Sequence, residues 1–202
     1  MRSDRSKSRV PPGPQSGFLG DDRGSSVVEI ALILPPALLM LALAVMAGQG
    51  FEIERKASLA ARTVTDLVSL TPYVNNPSVS GATELNQTDL DADLALSAQI
   101  MWPDASSAVQ VVVSELSVNS ANNTGTVVWS EPYNGATALP VGTVVSLNPS
   151  YAETGAAYLI YGQVQYTFQP LQIMQAVSAI AFNEGDVLAP RNASQITINW
   201  GQ

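Results

Sequence analysis

Cysteine and histidine are both missing from the 202 residues. Their absence rules out a disulfide framework, a thiol nucleophile and a Cys/His zinc site. It also removes the side chain best suited to proton transfer near neutral pH. Carboxylate, serine or lysine chemistry stays open, but the usual building blocks of catalysis are few. The chain reads as a non-enzyme with no cofactor and no metal. Charge is scarce as well, at 13%, against roughly 25% in an ordinary soluble domain. That deficit fits a membrane stretch, an uncharged β-rich surface, or both. The length accommodates one ordinary domain plus one membrane segment.

The charge that is present is unevenly placed. Arg2, Arg5, Lys7 and Arg9 sit in the first ten positions, Arg23 just before a hydrophobic run, and Arg55, Lys56 and Arg62 just after it. From residue 63 onward Arg191 is the only basic residue, set against eleven acids. An acidic outer domain repels phosphates, so nucleic acid is excluded as a partner.

Residues 1–24 are polar, with Pro11-Pro12-Gly13-Pro14 and no helical or strand period, and read as a disordered basic leader. Residues 30–48 then run for nineteen positions without a charged or hydrogen-bonding side chain. At about 1.5 Å per residue that is roughly 28 Å, close to the hydrocarbon thickness of a bilayer. A signal-peptide core is usually about 7–15 residues, so this run is long enough to stay. Pro35 and Pro36 would break a soluble helix; in a membrane helix such prolines are tolerated and kink it. Basic residues on the N-terminal side place residue 1 in the cytoplasm. Arg55 and Lys56 pull the other way but are flanked by Glu52 and Glu54.

Beyond the run, Ile53, Ala57, Ala60, Val64, Leu67 and Val68 recur at spacings of three and four, an amphipathic stripe that ends at Thr71-Pro72. The reading is one long helix over about 27–70, whose upper half carries an apolar face that something must cover. After a linker at 72–83 comes a shorter helix. Thr88 or Asp89 is its expected cap, Asp91 and Asp93 lie in its first turn, Leu90, Leu94, Ala98 and Met101 form its face, and Pro103 stops it. The period then changes to two. Residues 109–118 and 126–129, joined by a turn at Asn122-Asn123-Thr124-Gly125, read as a hairpin, with further strands at 158–168 and 196–200. The fold class is α+β: a long N-terminal hydrophobic helix with a small antiparallel sheet packed on its C-terminal half.

The most informative segment is Arg23-Gly24-Ser25-Ser26-Val27-Val28-Glu29-Ile30. A glycine precedes the apolar run, and a single carboxylate lies inside it five residues later. An acid at the centre of a membrane helix costs about 2.5–3.5 kcal/mol, less near the edge, and normally has a partner. This pattern resembles the processing site of type IV pilin-like proteins. The stretch over about 23–65 is similar to the TadE-like minor pseudopilins of the tight-adherence (Tad, or Flp) pilus. The likeness rests on Arg23-Gly24, Val28-Glu29-Ile30-Ala31-Leu32, Leu34-Pro35 and the alanine-rich residues 57–63. Weaker echoes are residues 164–170 and Ala189-Pro190-Arg191. The sequence departs from the family in having Ile30 where an aromatic residue is common, and in doubling the proline at Pro35-Pro36.

The resemblance implies a bacterial inner-membrane protein, single-pass, with residues 1–24 as leader, 25–70 as transmembrane and assembly helix, and 71–202 as an extracytoplasmic α+β domain. It implies that a membrane aspartyl prepilin peptidase cuts between Gly24 and Ser25. Glu29 then becomes the fifth residue, and its carboxylate pairs with the new Ser25 ammonium of a neighbour. The implied partners are that peptidase, other Tad pilins and pseudopilins, and inner-membrane lipid.

Other readings stay open beside this one. Glu29 is also placed to snorkel at the interface of an uncleaved anchor carrying a ligand- or partner-binding outer domain. A signal peptide cut near Ala42-Leu43-Ala44 would instead release a secreted enzyme. Asp89, Asp91 and Asp93 have the alternate spacing of a calcium loop but lack its glycine and distant glutamate. Trp102, Trp129 and Trp200 read as core or sheet-face residues. Glu115 and Glu131 receive no role from sequence.

Overall fold

In the computed structural model, which describes residues 22–74, 76, 78–102, 108–168 and 179–201, the apolar run and the stripe after it form one helix, α1 (Asp22–Ser69). It passes through Pro35 and Pro36. Each proline lacks an N–H, so the carbonyls of Ala31 and Leu32 lose their usual donors four residues on. The chain divides by its contacts into two units, Met1–Met46 and Ala47–Gln202. The leader through residue 21, the stop expected at Pro103 and the Gln169-Pro170 echo lie outside the described residues.

The second unit is α+β. After the later part of α1 come β1 (Ala82–Asn86), α2 (Gln87–Gln99), β2 (Val109–Asn119), β3 (Thr124–Tyr133), β4 (Val144–Ser146), α3 (Pro149–Ala152), β5 (Tyr158–Phe168), β6 (Ile180–Leu188) and β7 (Gln195–Asn199). Five strands make a curled antiparallel sheet in the order β4-β3-β2-β5-β6, and β1 pairs with β7 in a separate parallel ribbon. The expected antiparallel sheet is present. The parallel ribbon was not expected, because its two strands are 109 residues apart between their nearest ends, at Asn86 and Gln195, and neither alone exceeds 5 residues. β1 also begins inside the segment read as linker.

Two apolar clusters organise this unit. One holds Ile53, Ala57, Ala60, Ala61, Val64 and Val68 of α1 with Leu90, Leu94, Ala98 and Met101, then Val109, Val111, Val113, Trp129, Ile160, Val164 and Ile196. The other holds Leu116, Val127, Leu147, Leu159 and Val187. Along β2 and β5 the two clusters follow the two faces of the sheet, with Val109, Val111, Val113, Ile160 and Val164 on one side and Leu116 and Leu159 on the other. In β3 the register slips between Trp129, opposite Glu115, and Val127, opposite Leu116, so Val128 is an extra residue. This bulge lets Trp129 and Val127, two residues apart, join different clusters.

Gly162, central in β5, is a place where only hydrogen fits: a Cβ there would overlap Thr65 Oγ1 and stand 2.9 Å from Val64 Cγ1. In the hairpin, the left-handed residue is Asn123, with φ 51°. Gly125 lies within β3, where a Cβ would meet Leu116 Cβ at 2.9 Å. The turn therefore falls slightly earlier than its sequence suggested, and Gly125 serves packing. α2 presents Leu90, Leu94, Ala98 and Met101 to the core as the spacing predicted. It starts at Gln87, however, so Thr88 and Asp89 lie inside it and cap nothing, and Asp91 and Asp93 fall beyond the first turn.

Candidate functional site

The first feature is the N-terminal part of α1. From Val27 to Val45, twelve large apolar side chains are exposed, Leu32 by 76% and Met40 by 70%. Among the described residues this is the one helix long and apolar enough to cross a membrane, with a mean hydropathy of 2.5 over a window that is only 6% buried. Each such side chain gains about 1.5–3 kcal/mol on leaving water, so twelve represent on the order of 20–30 kcal/mol. Exposure on that scale calls for an apolar medium or a protein cover.

Glu29 is exposed on this stretch, between Val28 and Ile30, each more than 60% exposed. Between Arg23 and Glu52 it is the only charged residue. Gly24 and Ser25 lie on helical backbone, since α1 begins at Asp22.

The second feature is an open groove of about 880 Å³ along the early part of the second unit, lined by Gly48, Phe51, Glu52, Glu54, Arg55, Lys56, Ser58, Leu59, Arg62 and, from β6, Glu184. Phe51 is 68% and Leu59 54% exposed. Lys56 Nζ reaches Glu52 Oε1 at 2.8 Å one turn away, which holds the Glu52 carboxyl below its ordinary range.

The third feature is one that sequence reasoning left without a role. Glu115, on the central strand β2, is fully buried. Its Oε1 accepts the backbone N–H of Ile196 at 2.7 Å, and its Oε2 accepts from Gln195 Nε2 at 3.3 Å. Trp129 Nε1 donates to the carbonyl of the same Ile196 at 2.7 Å. A carboxylate and an indole on two neighbouring strands thus bind the N–H and the C=O of one residue of β7, Ile196. Burial pushes the Glu115 carboxyl from 4.5 to about 7, against the opposing pull of these hydrogen bonds. The only sequence signal was an acid among valines in a period-two run. Glu131 is only partly buried; it accepts from Gln87 Nε2 at 3.3 Å, and burial raises it too. Glu115 and Glu131 have separate partners and do not act as a carboxylate pair.

The Pro-Arg echo also has a definite place. Arg191 donates its backbone N–H to Ser69 O at 2.9 Å, and its guanidinium pairs with Asp66. Asn192 Nδ2 donates to the carbonyls of Leu70 at 2.9 Å and Thr71 at 3.1 Å. These donors meet the carbonyls left unpaired where α1 ends, and α1 has no basic residue in its own last turn.

The three aspartates do not converge. On a helix, residues two apart point in nearly opposite directions, so Asp91 is turned away from Asp89 and Asp93. No group of three or more acidic side chains is placed to hold a metal ion among the described residues. Trp129 is a core residue as expected. Trp102 is 78% and Trp200 47% exposed, so neither is.

Comparison of the chain with protein-family models, with curated proteins and with solved structures returns no match.

Proposed function

We propose that this chain is a membrane-anchored structural and assembly component of the TadE-like minor pseudopilin kind. In this reading it crosses the bacterial inner membrane once, with residue 1 in the cytoplasm and the second unit outside. A prepilin peptidase cuts between Gly24 and Ser25. The five-stranded sheet seats on the later half of α1 and covers its apolar stripe. The chain is a substrate of the peptidase and a partner of other Tad pilins; it catalyses nothing.

The observation that carries this reading is Glu29: one carboxylate at the start of an exposed apolar helix, five residues after Gly24. In a low-dielectric setting a carboxylate is stabilised by an opposite charge beside it, and an ammonium created by proteolysis at Ser25 of a neighbour supplies one. Such a pair sets the register of one subunit against the next. The test is the N-terminal residue of protein recovered from membranes of cells with an active prepilin peptidase. Ser25 is expected.

A second reading, an uncleaved single-pass anchor with a binding domain outside, is favoured by the helical backbone at Gly24-Ser25. Proteases bind extended backbone, so the first turn has to unwind before cleavage. Gly24 eases this, since glycine costs a helix about 1 kcal/mol relative to alanine. Recovery of Met1 or Arg2 as the first residue selects this second reading.

A further inference from the structure

The charge of the second unit is segregated. Between residues 47 and 202 there are four bases, Arg55, Lys56, Arg62 and Arg191, against thirteen acids, namely Glu52, Glu54 and the eleven from residue 63 onward. Lys56 pairs with Glu52 and Arg191 with Asp66. Arg55 and Arg62 are exposed and in no ion pair among the described residues. They lie on the groove face of α1 with Phe51 and Leu59, flanked by Glu54 and by Glu184 of β6. At spacings of four, four and three residues the order along that face is apolar, basic, apolar, basic, over about 16 Å.

A surface of complementary character exists on the same chain. One flank of α2 carries the exposed Asp89, the half-buried Asp93 and Leu96 at spacings of four and three, with Leu96 52% exposed. No basic residue lies on α2. Asp89 and Asp93 are one turn apart, and Asp89 adds its repulsion to burial in holding the Asp93 carboxyl above its ordinary range. Like charges at this spacing destabilise a helix, and a guanidinium set between them relieves the strain.

We infer that the Phe51–Arg55–Leu59–Arg62 face of α1 is a docking surface for α2 of a second copy of this chain, the arginines meeting Asp89 and Asp93 and the exposed leucines meeting each other. The two surfaces differ, so the contact is head-to-tail and can be repeated from copy to copy, extending openly wherever the rotation between copies does not close a ring. One helix against another buries less than the roughly 1,000 Å² of a stable interface, so the contact is weak between free molecules. Confinement in one membrane raises the effective concentration and makes it count.

This inference deepens the assembly reading and is independent of cleavage at Gly24. The chain contains no cysteine, so single cysteines report on one contact each. Full-length Leu59→Cys and Leu96→Cys chains, mixed in neutral-lipid vesicles and oxidised, are expected to form the mixed dimer in preference to either like-with-like dimer. Arg55→Glu with Arg62→Glu lowers that yield about tenfold, which corresponds to about 1.4 kcal/mol. Asp89→Arg with Asp93→Arg on the other chain restores it. Circular dichroism of each variant checks that it is folded.

A predominance of Leu59→Cys homodimers, or a mixed yield indifferent to both charge reversals, overturns the inference. So does loss of binding to phosphatidylglycerol vesicles as the sole effect of the arginine changes, which assigns the surface to lipid. The N-terminal residue, read on protein from the same cells, judges the assembly reading separately.

Discussion

The buried carboxylate of Glu115 accepts the backbone N–H of Ile196 at 2.7 Å, across 81 residues of sequence. The contact ties the parallel ribbon of β1 and β7 to the central strand of the five-stranded sheet, and it makes stability depend on pH. The folded protein holds the Glu115 proton up to about 7, while the ordinary value is 4.5. Between these values the native state binds more protons than the unfolded chain. Stability is therefore greatest at the acid end of that window and falls as pH rises through it, by at most about 3 kcal/mol. Asp93 and Glu131, also raised, act in the same direction. Urea midpoints of the wild-type chain are expected to fall from pH 5 to pH 8. In Glu115→Gln, which keeps the acceptor for Ile196 and cannot ionise, that slope flattens and the midpoint at pH 8 rises. An unchanged slope would show that Glu115 does not titrate in this window.

Gly162 and Gly50 make opposite predictions for the same substitution. At Gly162 a Cβ overlaps Thr65 Oγ1 and approaches the Ala61 carbonyl at 3.1 Å, so Gly162→Ala costs about 1–3 kcal/mol. At Gly50, inside α1, nothing lies within 4 Å, and Gly50→Ala stabilises the helix by up to about 1 kcal/mol. Thermal melts of the two variants in the same detergent should move in opposite directions.

The end of α1 is closed by Arg191 and Asn192. Asn192→Ala removes side-chain donors from the Leu70 and Thr71 carbonyls and is expected to cost about 1 kcal/mol, or roughly 3 °C in Tm. Arg191→Ala keeps its backbone bond to Ser69 and loses only a half-exposed ion pair, worth no more than about 0.5 kcal/mol. If the arginine change proves the costlier of the two, its charge matters more to the end of α1 than the capping geometry indicates.

Glu29→Gln separates anchoring from assembly. Neutralising the acid makes insertion cheaper by up to about 2.5–3.5 kcal/mol, so membrane fractionation is unaffected or improved. On the proposed pseudopilin reading, incorporation into sheared pilus fractions and crosslinking to partner pilins are expected to drop. Unchanged incorporation would remove Glu29 from the assembly role.

Local pattern alone determined a good deal of this protein. The apolar run over 30–48 required one helix with an exposed greasy surface, and the stripe from Ile53 to Val68 required that the helix continue and bury one face. Leu90, Leu94, Ala98 and Met101 disclosed α2, alternating valines disclosed β2, and the long stretch from Tyr158 to Phe168 disclosed β5. These signals are periodic and lie close together in the chain. β6 escaped notice because Asn183-Glu184-Gly185-Asp186 interrupts any apolar alternation on a sheet edge, where one side of the strand has no strand to satisfy.

What only the tertiary structure decided is who meets whom over long separations. Nothing near Glu115 in sequence foretells that its partner is the peptide of Ile196, nor does anything near Ser69 foretell that Arg191 closes its helix. The parallel pairing of β1 with β7 and the empty space demanded of Gly162 are facts of the same kind. Hydrogen bonds and close packing act within about 3–4 Å in space and carry no trace of their distance along the chain. A lone acid in a valine-rich strand therefore reads as an oddity until the fold brings a backbone N–H to it.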